Sequence, residues 1–124
     1  MTPAGFAAVA LGAVLGAWLR WALSLWLNAV HPTMPLGTWV ANLLGGLLIG
    51  AALACLTRLP ELDPLWRLFF VTGFLGALTT FSTFSAESLL LLQRGEFGWA
   101  FVHSAAHLAG ALLAAVLGWR LLAP

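Results

Sequence analysis

Apolar residues fill four long blocks of this chain, and the polar residues between them gather into three short connectors. The first block runs from about Pro3 to Leu27. It is closed by Asn28-Ala-Val-His-Pro-Thr-Met-Pro35, which two prolines and an asparagine mark as a loop. The second runs from about Leu36 to Leu56 and is followed by Thr57-Arg-Leu-Pro-Glu-Leu-Asp-Pro64, where Asp63 suits a helix N-cap and Pro64 a first helical turn. The third extends from about Leu65 to Leu92, Gln93-Arg-Gly-Glu-Phe-Gly98 forms the next turn, and the fourth runs from about Trp99 to Leu122. A helix needs roughly 20 apolar residues to cross a bilayer. The pattern therefore predicts an all-α membrane protein, one four-helix transmembrane domain over residues 1–124.

Composition agrees. The chain is 62% hydrophobic and 7% charged, against roughly 25% charged in soluble domains, so it cannot cover a water-facing surface. There is no basic patch for nucleic acid. The single cysteine, Cys55, leaves no partner for an intrachain disulfide and reads as a small core residue. The N-terminal run has no basic start and is too long for a signal-peptide core, so it reads as a retained first span. Seven tryptophans (Trp18, Trp21, Trp26, Trp39, Trp66, Trp99 and Trp119) lie mostly near span ends, as interfacial anchors do. Arg58, Arg67 and Arg120 fall on one side of the membrane and Arg94 on the other, a modest orientation bias compatible with insertion one way or both ways.

Polar and small residues inside the spans carry the candidate chemistry. In span 1, Gly12, Gly16 and Arg20 share a face, and the two glycines form a small-xxx-small pair that admits close helix approach, within one chain or between two. Arg20 has two readings: snorkelling to headgroups beside Trp18 and Trp21, or drawing anions toward a vestibule or pairing with a carboxylate. Span 2 carries Thr38 and Asn42 one turn apart, and a second small pair, Gly46 and Gly50. Asn42 reads either as an interhelical hydrogen bond or as an amide donor to a passing anion. Span 4 carries His103 and His107 one turn apart. No third ligand or HExxH-type glutamate accompanies them in sequence, so a polar path or an interhelical bond is the better reading than a metal.

Span 3 is the densest in polarity: Gly73-Phe-Leu-Gly-Ala-Leu-Thr-Thr-Phe-Ser-Thr-Phe-Ser-Ala-Glu87. Glycine weakens a helix and threonine diverts hydrogen bonds from its ladder, so a break is expected over Gly76 to Thr80. Carbonyls freed at mid-membrane must be buried or must coordinate something, and an oxygen-only site favours a hard cation. Beyond the break, Thr80, Thr83, Phe84 and Glu87 share a face. Phe81 and Phe84 pack apolar surface, or turn their positive ring edges to an anion.

Together these motifs resemble the Fluc/CrcB family of small fluoride channels. The resemblance covers essentially the whole chain, and its carriers are Gly16-Ala-Trp-Leu-Arg20-Trp, Gly37-Thr-Trp-Val-Ala-Asn42-Leu-Leu-Gly-Gly46 and the 73–87 run. It implies an antiparallel, dual-topology homodimer with two pores, passively exporting fluoride across the inner membrane to relieve fluoride toxicity. It implies fluoride-pore roles for Asn42, Phe81, Phe84, Ser82, Thr83 and Glu87, a vestibule role for Arg20, and a structural Na⁺ at the dimer interface on the carbonyls of Gly76 and Thr79. Thr38, His103 and His107 are further candidates for the pore wall. Where the family often offers span 4 hydroxyls, this chain has the two histidines.

Two rival classes share the size and span count. A small proton-coupled multidrug transporter needs a carboxylate in span 1, whose only charge here is Arg20. A non-transporting scaffold leaves Asn42 and the 76–87 cluster without a task. An enzyme is not expected, since no nucleophile–base pair or phosphate-binding glycine loop is present.

Overall fold

The computed structural model describes residues 1–123, so Pro124, the last residue of the predicted domain, lies outside the described residues. All regular structure among them is helical: α1 (Pro3–Leu27), α2 (Leu36–Arg58), α3 (Pro64–Arg67), a π-helical stretch π1 (Leu68–Leu75), α4 (Gly76–Leu78), α5 (Phe81–Gln93) and α6 (Phe97–Leu122). The segments α3, π1, α4 and α5 together make the third of four stretches long and apolar enough to cross a membrane, Pro64–Gln93. The chain is a multi-pass membrane protein.

Caps close the helices at atomic level. Thr2, not singled out in the sequence, caps α1 by accepting from the Gly5 N–H at 3.1 Å. Asp63 caps α3 by accepting from the Leu65 N–H at 2.8 Å, with Pro64 in the first turn. The start of α2 follows Pro35, which carries no side-chain cap. There Asn28 reaches across the loop, its Oδ1 accepting from the Gly37 N–H at 2.8 Å. His31 organises the loop itself, its Nδ1 accepting from the N–H groups of Thr33 and Met34 at 3.2 and 3.0 Å. Gly95 closes the α5–α6 turn at φ 73°, a conformation open to glycine at little cost.

The glycine faces settle how the spans pack. α1 lies on π1 with backbone against backbone. A Cβ at Gly12 would strike the Phe69 carbonyl, and one at Gly16 the Phe74 carbonyl, while Gly73 presents its own bare face to Val9 and Gly12. α2 lies equally close to α6: Gly46 and Gly50 face the carbonyls of Ala111 and Ala115, and Gly118 faces Leu47. Both small-xxx-small pairs are thus used within one chain. In lipid such contacts rest on van der Waals packing that only small residues permit. The centre of the bundle is Ala41, Leu75 and Leu78, wrapped by Leu19, Leu44, Phe70 and Phe74.

The expected break in the third span is present but narrower than Gly76 to Thr80. Gly76 is helical at φ −60°, ψ −32°, and the chain leaves the helix only at Thr79 (φ −83°, ψ 152°) and Thr80 (φ −149°, ψ 118°). The irregularity is instead spread upstream as π1, where the wider turn carries backbone past the glycines of α1. Trp39 is half-buried, and its Nε1–H donates to the Ala106 carbonyl of α6 at 3.0 Å. The other six tryptophans are exposed on the bundle surface, as anchors must be.

Replacing Gly50 by leucine drives a side chain into the Ala115 backbone. It should cost about 1–3 kcal/mol or more, read as a lower melting temperature of the detergent-solubilised protein. Gly98→Ala, with open space around its Cα, should leave that temperature unchanged.

Candidate functional site

The break is made by two threonines acting in opposite directions. Thr79 ends α4: its N–H and its hydroxyl both donate to the Leu75 carbonyl, at 3.1 and 2.9 Å. Its methyl is seated on Gly45, where a Cβ would collide with Thr79 Cγ2. Thr80 begins α5 as its N-cap, its Oγ1 accepting from the Thr83 N–H at 3.1 Å. In an unbroken helix the Thr80 N–H would donate to the Gly76 carbonyl. Here it donates to Asn42 Oδ1 at 2.8 Å, and Asn42 Nδ2 donates back to the Thr80 carbonyl at 3.1 Å. One side chain of α2 therefore serves both backbone groups of the residue that the break exposes.

From Asn42 a polar seam runs through the bundle. Asn42 Nδ2 also contacts His107 Nδ1 at 3.1 Å. The His107 and His103 rings lie 4.5 Å apart. His103 Nε2 meets Glu87 Oε2 at 3.1 Å, and its Nδ1 meets Ser88 Oγ at 3.0 Å. The Thr38 hydroxyl donates to Glu87 Oε1 at 2.6 Å. Thr38, His103 and His107 are all buried. Phe84 lies against both histidines, stacked on His103 at 5.4 Å and tilted on His107 at 5.0 Å.

An open groove of about 580 Å³ meets this seam at its Asn42–His107 end, lined by Asn42, Gly45, Gly46, Gly76, Thr79, Thr80, Phe81, Phe84, His107 and apolar residues of α2, π1 and α6. The two phenylalanines differ. Phe84 is buried, whereas Phe81 is 73% exposed, its ring 5.2 Å from that of Phe84. Thr80 Oγ1 also bonds the hydroxyls of Ser82 and Thr83, at 3.2 and 3.0 Å.

Of the candidate residues, Thr38, Asn42, Phe84, Glu87, His103 and His107 come together in one cluster. Thr83 and Ser82 join it through Thr80, and Phe81 stands at its open edge. Arg20 is on the other side of the broken span, its Nε donating to the Ala77 carbonyl at 2.9 Å. Among the described residues no carboxylate pairs with it; the one acid–base contact is His103 with Glu87. Gly76 is exposed on the bundle surface and Thr79 half-buried.

Sequence reasoning missed a third partner for the histidines. Glu87, His103 and His107 bring their ligand atoms within 4.8 Å of one another, the size of a metal centre. Only the fold makes Glu87 their neighbour, since it lies a full helix and turn earlier in the chain. Hydrogen-bond polarity nevertheless opposes a cation there. Asn42 points Nδ2 at His107 Nδ1, so Nδ1 must accept, and the neutral ring carries its proton on Nε2.

Asn42→Ala should leave the Thr80 N–H and carbonyl without partners, at about 1–3 kcal/mol per group. Hydrogen exchange of the detergent-solubilised protein should then show faster exchange at the Thr80 amide, with α1 unaffected.

The comparisons are concordant. The family model described as CrcB-like protein, Camphor Resistance (CrcB), matches residues 7–119. A fluoride-specific ion channel FluC of Aromatoleum aromaticum is 60% identical over 92% of this chain and 87% of its own length. That of Cupriavidus pinatubonensis is 56% identical over 99% of this chain and 100% of its own length. That of Pseudomonas paraeruginosa is 56% identical over 90% of this chain and 87% of its own length.

Proposed function

Because the chain belongs to the CrcB family, we propose that it is a fluoride-selective ion channel, passing fluoride down its electrochemical gradient across the bacterial inner membrane and so relieving fluoride toxicity. The observation that carries this reading is the buried polar seam beside an open groove in a chain otherwise built of apolar side chains. Intramembrane polar groups of this density face a water or ion pathway, or one another, and relatives at 56–60% identity bear the name of a fluoride channel. It is not an enzyme.

Fluoride is small and strongly hydrated, so a selective path must replace its water with hydrogen-bond donors and positive ring edges while still releasing it. The hydroxyls of Ser82 and Thr83 supply donors. Phe81 and Phe84 supply ring edges around the groove. Glu87 accepts from Thr38 and faces His103, which fixes the direction in which those groups point. The broken helix adds to this. The first N–H groups of α5 form the positive end of a helix dipole beside the groove, which favours an anion. Arg20 adds positive charge at a vestibule.

The same break leaves carbonyls at the end of α4. The Gly76 carbonyl has lost its usual donor to Asn42, and Thr79 is extended, so both oxygens suit a hard cation. A structural Na⁺ held by Gly76 and Thr79 would supply a fixed positive charge and tie helix breaks together. One chain offers only these two oxygens, and exposed Gly76 fits a second copy completing the set. An antiparallel homodimer with two pores is what the family resemblance implies, and the modest arginine bias is compatible with it. A multidrug transporter is disfavoured, since α1 has no acid and its arginine is bonded to Ala77.

Purified protein in liposomes should release fluoride, read by a fluoride electrode, and retain chloride. No efflux, or equal chloride flux, would refute the channel. Phe81→Ile and Phe84→Ile should each lower the flux. Single cysteines placed on opposite membrane faces should crosslink between subunits; only same-face crosslinks would refute the antiparallel dimer.

A further inference from the structure

The α1–α2 corner is held by one ring nitrogen. His31 Nδ1 accepts from the N–H groups of Thr33 and Met34, at 3.2 and 3.0 Å. A nitrogen that accepts carries no proton, so the ring is neutral and its hydrogen sits on Nε2. The same ring packs on Trp99, the centroids 5.4 Å apart and the planes tilted by 58°. The corner is thereby tied to the first turn of α6. A second tie lies close in sequence: Asn28 Oδ1 accepts from the Gly37 N–H, where α2 has no cap of its own. Both ties bear on the start of α2. Its buried first turn carries Thr38, whose hydroxyl donates to Glu87 at 2.6 Å. His31 itself is half-buried in the connector, outside the four spans.

Protonation undoes this arrangement. An imidazolium carries an N–H on both nitrogens, so a hydrogen on Nδ1 would point at two further N–H groups. We propose that His31 is an acid-sensitive clasp: neutral, it holds the α1–α2 corner against α6; protonated, it releases Thr33 and Met34 and loosens the first turn of α2. The direction is fixed by the geometry, because only the neutral ring can accept at Nδ1. The clasp is therefore closed in alkali and opens in acid. Nothing packed around the ring offsets the charge. After Arg20, α1 brings no ionisable group, and the loop and the first turn of α2 bring none besides His31. The turn before α6 brings Arg94 and Glu96. Among the described residues neither pairs with His31; the one acid–base contact is His103 with Glu87. The two seam histidines are buried within the bundle, so His31 is the histidine placed to sense the aqueous face.

The test is NMR of the full-length protein in lipid, taken from about pH 8 to about pH 5, the range across which imidazoles take up a proton. Ring-¹⁵N signals report the His31 tautomer, the His31 signal being identified by its loss in His31→Asn. Amide hydrogen exchange, expressed as protection relative to an unstructured chain at the same pH, reports the clasp. At the alkaline end the wild-type ring should be protonated on Nε2 alone. As it gains its second proton, protection at Thr33 and Met34 should fall about fivefold, the worth of one net hydrogen bond, while the interior of α1 keeps its protection. Asparagine offers an acceptor oxygen in the place of Nδ1 and does not titrate. His31→Asn should therefore keep both amides protected throughout, and His31→Leu should leave them unprotected throughout. An Nδ1-protonated ring at the alkaline end, undiminished protection beside a doubly protonated ring, or a His31→Asn protein as acid-sensitive as the wild type would each overturn the clasp. The wild-type measurements decide by themselves if a variant fails to fold.

Discussion

A bilayer offers no water to an exposed peptide group, and everything distinctive in this molecule depends on how one violation of that constraint is repaired. The third span opens at Thr79 and Thr80, in the middle of an apolar segment. Asn42 answers it from α2, with one oxygen and one nitrogen meeting one N–H and one carbonyl. The pair ties α2 to Thr80, the N-cap of α5, directly at the break. It also fixes which way the amide points, and from there the hydrogen-bond polarity passes to His107. Structural repair and site chemistry are here the same contact.

The break separates two opposite helix ends. The carboxyl end of α4 has lost the donor for the Gly76 carbonyl, so it leans toward positive charge. The amino end of α5, capped by Thr80, leans toward negative charge. A single discontinuity thus sets a partly negative helix end and a partly positive one a few residues apart. A soluble protein would let water flatten this asymmetry. In hydrocarbon it persists, which is why so few polar groups suffice.

Glycine does the corresponding work for packing. Gly12 and Gly16 bring α1 onto π1, and Gly46, Gly50 and Gly118 bring α2 onto α6, each with a carbonyl where a methyl would otherwise sit. Such close contacts hold the helices rigidly enough for Asn42 to meet Thr80 at hydrogen-bond distance. They also use up both small-residue faces inside one chain, so contacts with a second copy must draw on other surface, of which exposed Gly76 is part.

Much was legible in the sequence by itself. Long apolar blocks broken by short polar connectors rich in proline, asparagine or glycine determined four spans, because helices of that length satisfy their backbone in lipid. Asp63 and Pro64 determined where the third begins, and the spacing of Thr80, Thr83, Phe84 and Glu87 determined a common face, since helical periodicity is local. Tertiary structure decided the rest. The break is confined to Thr79 and Thr80 because Asn42, distant in sequence, captures the Thr80 N–H, while Gly76 stays helical. Trp39 found its partner in the Ala106 carbonyl, and Glu87 became the neighbour of His103. No pattern along the chain announces these pairings, because each joins residues 38 or more positions apart, or two separate helices, and a hydrogen bond is fixed by position in space.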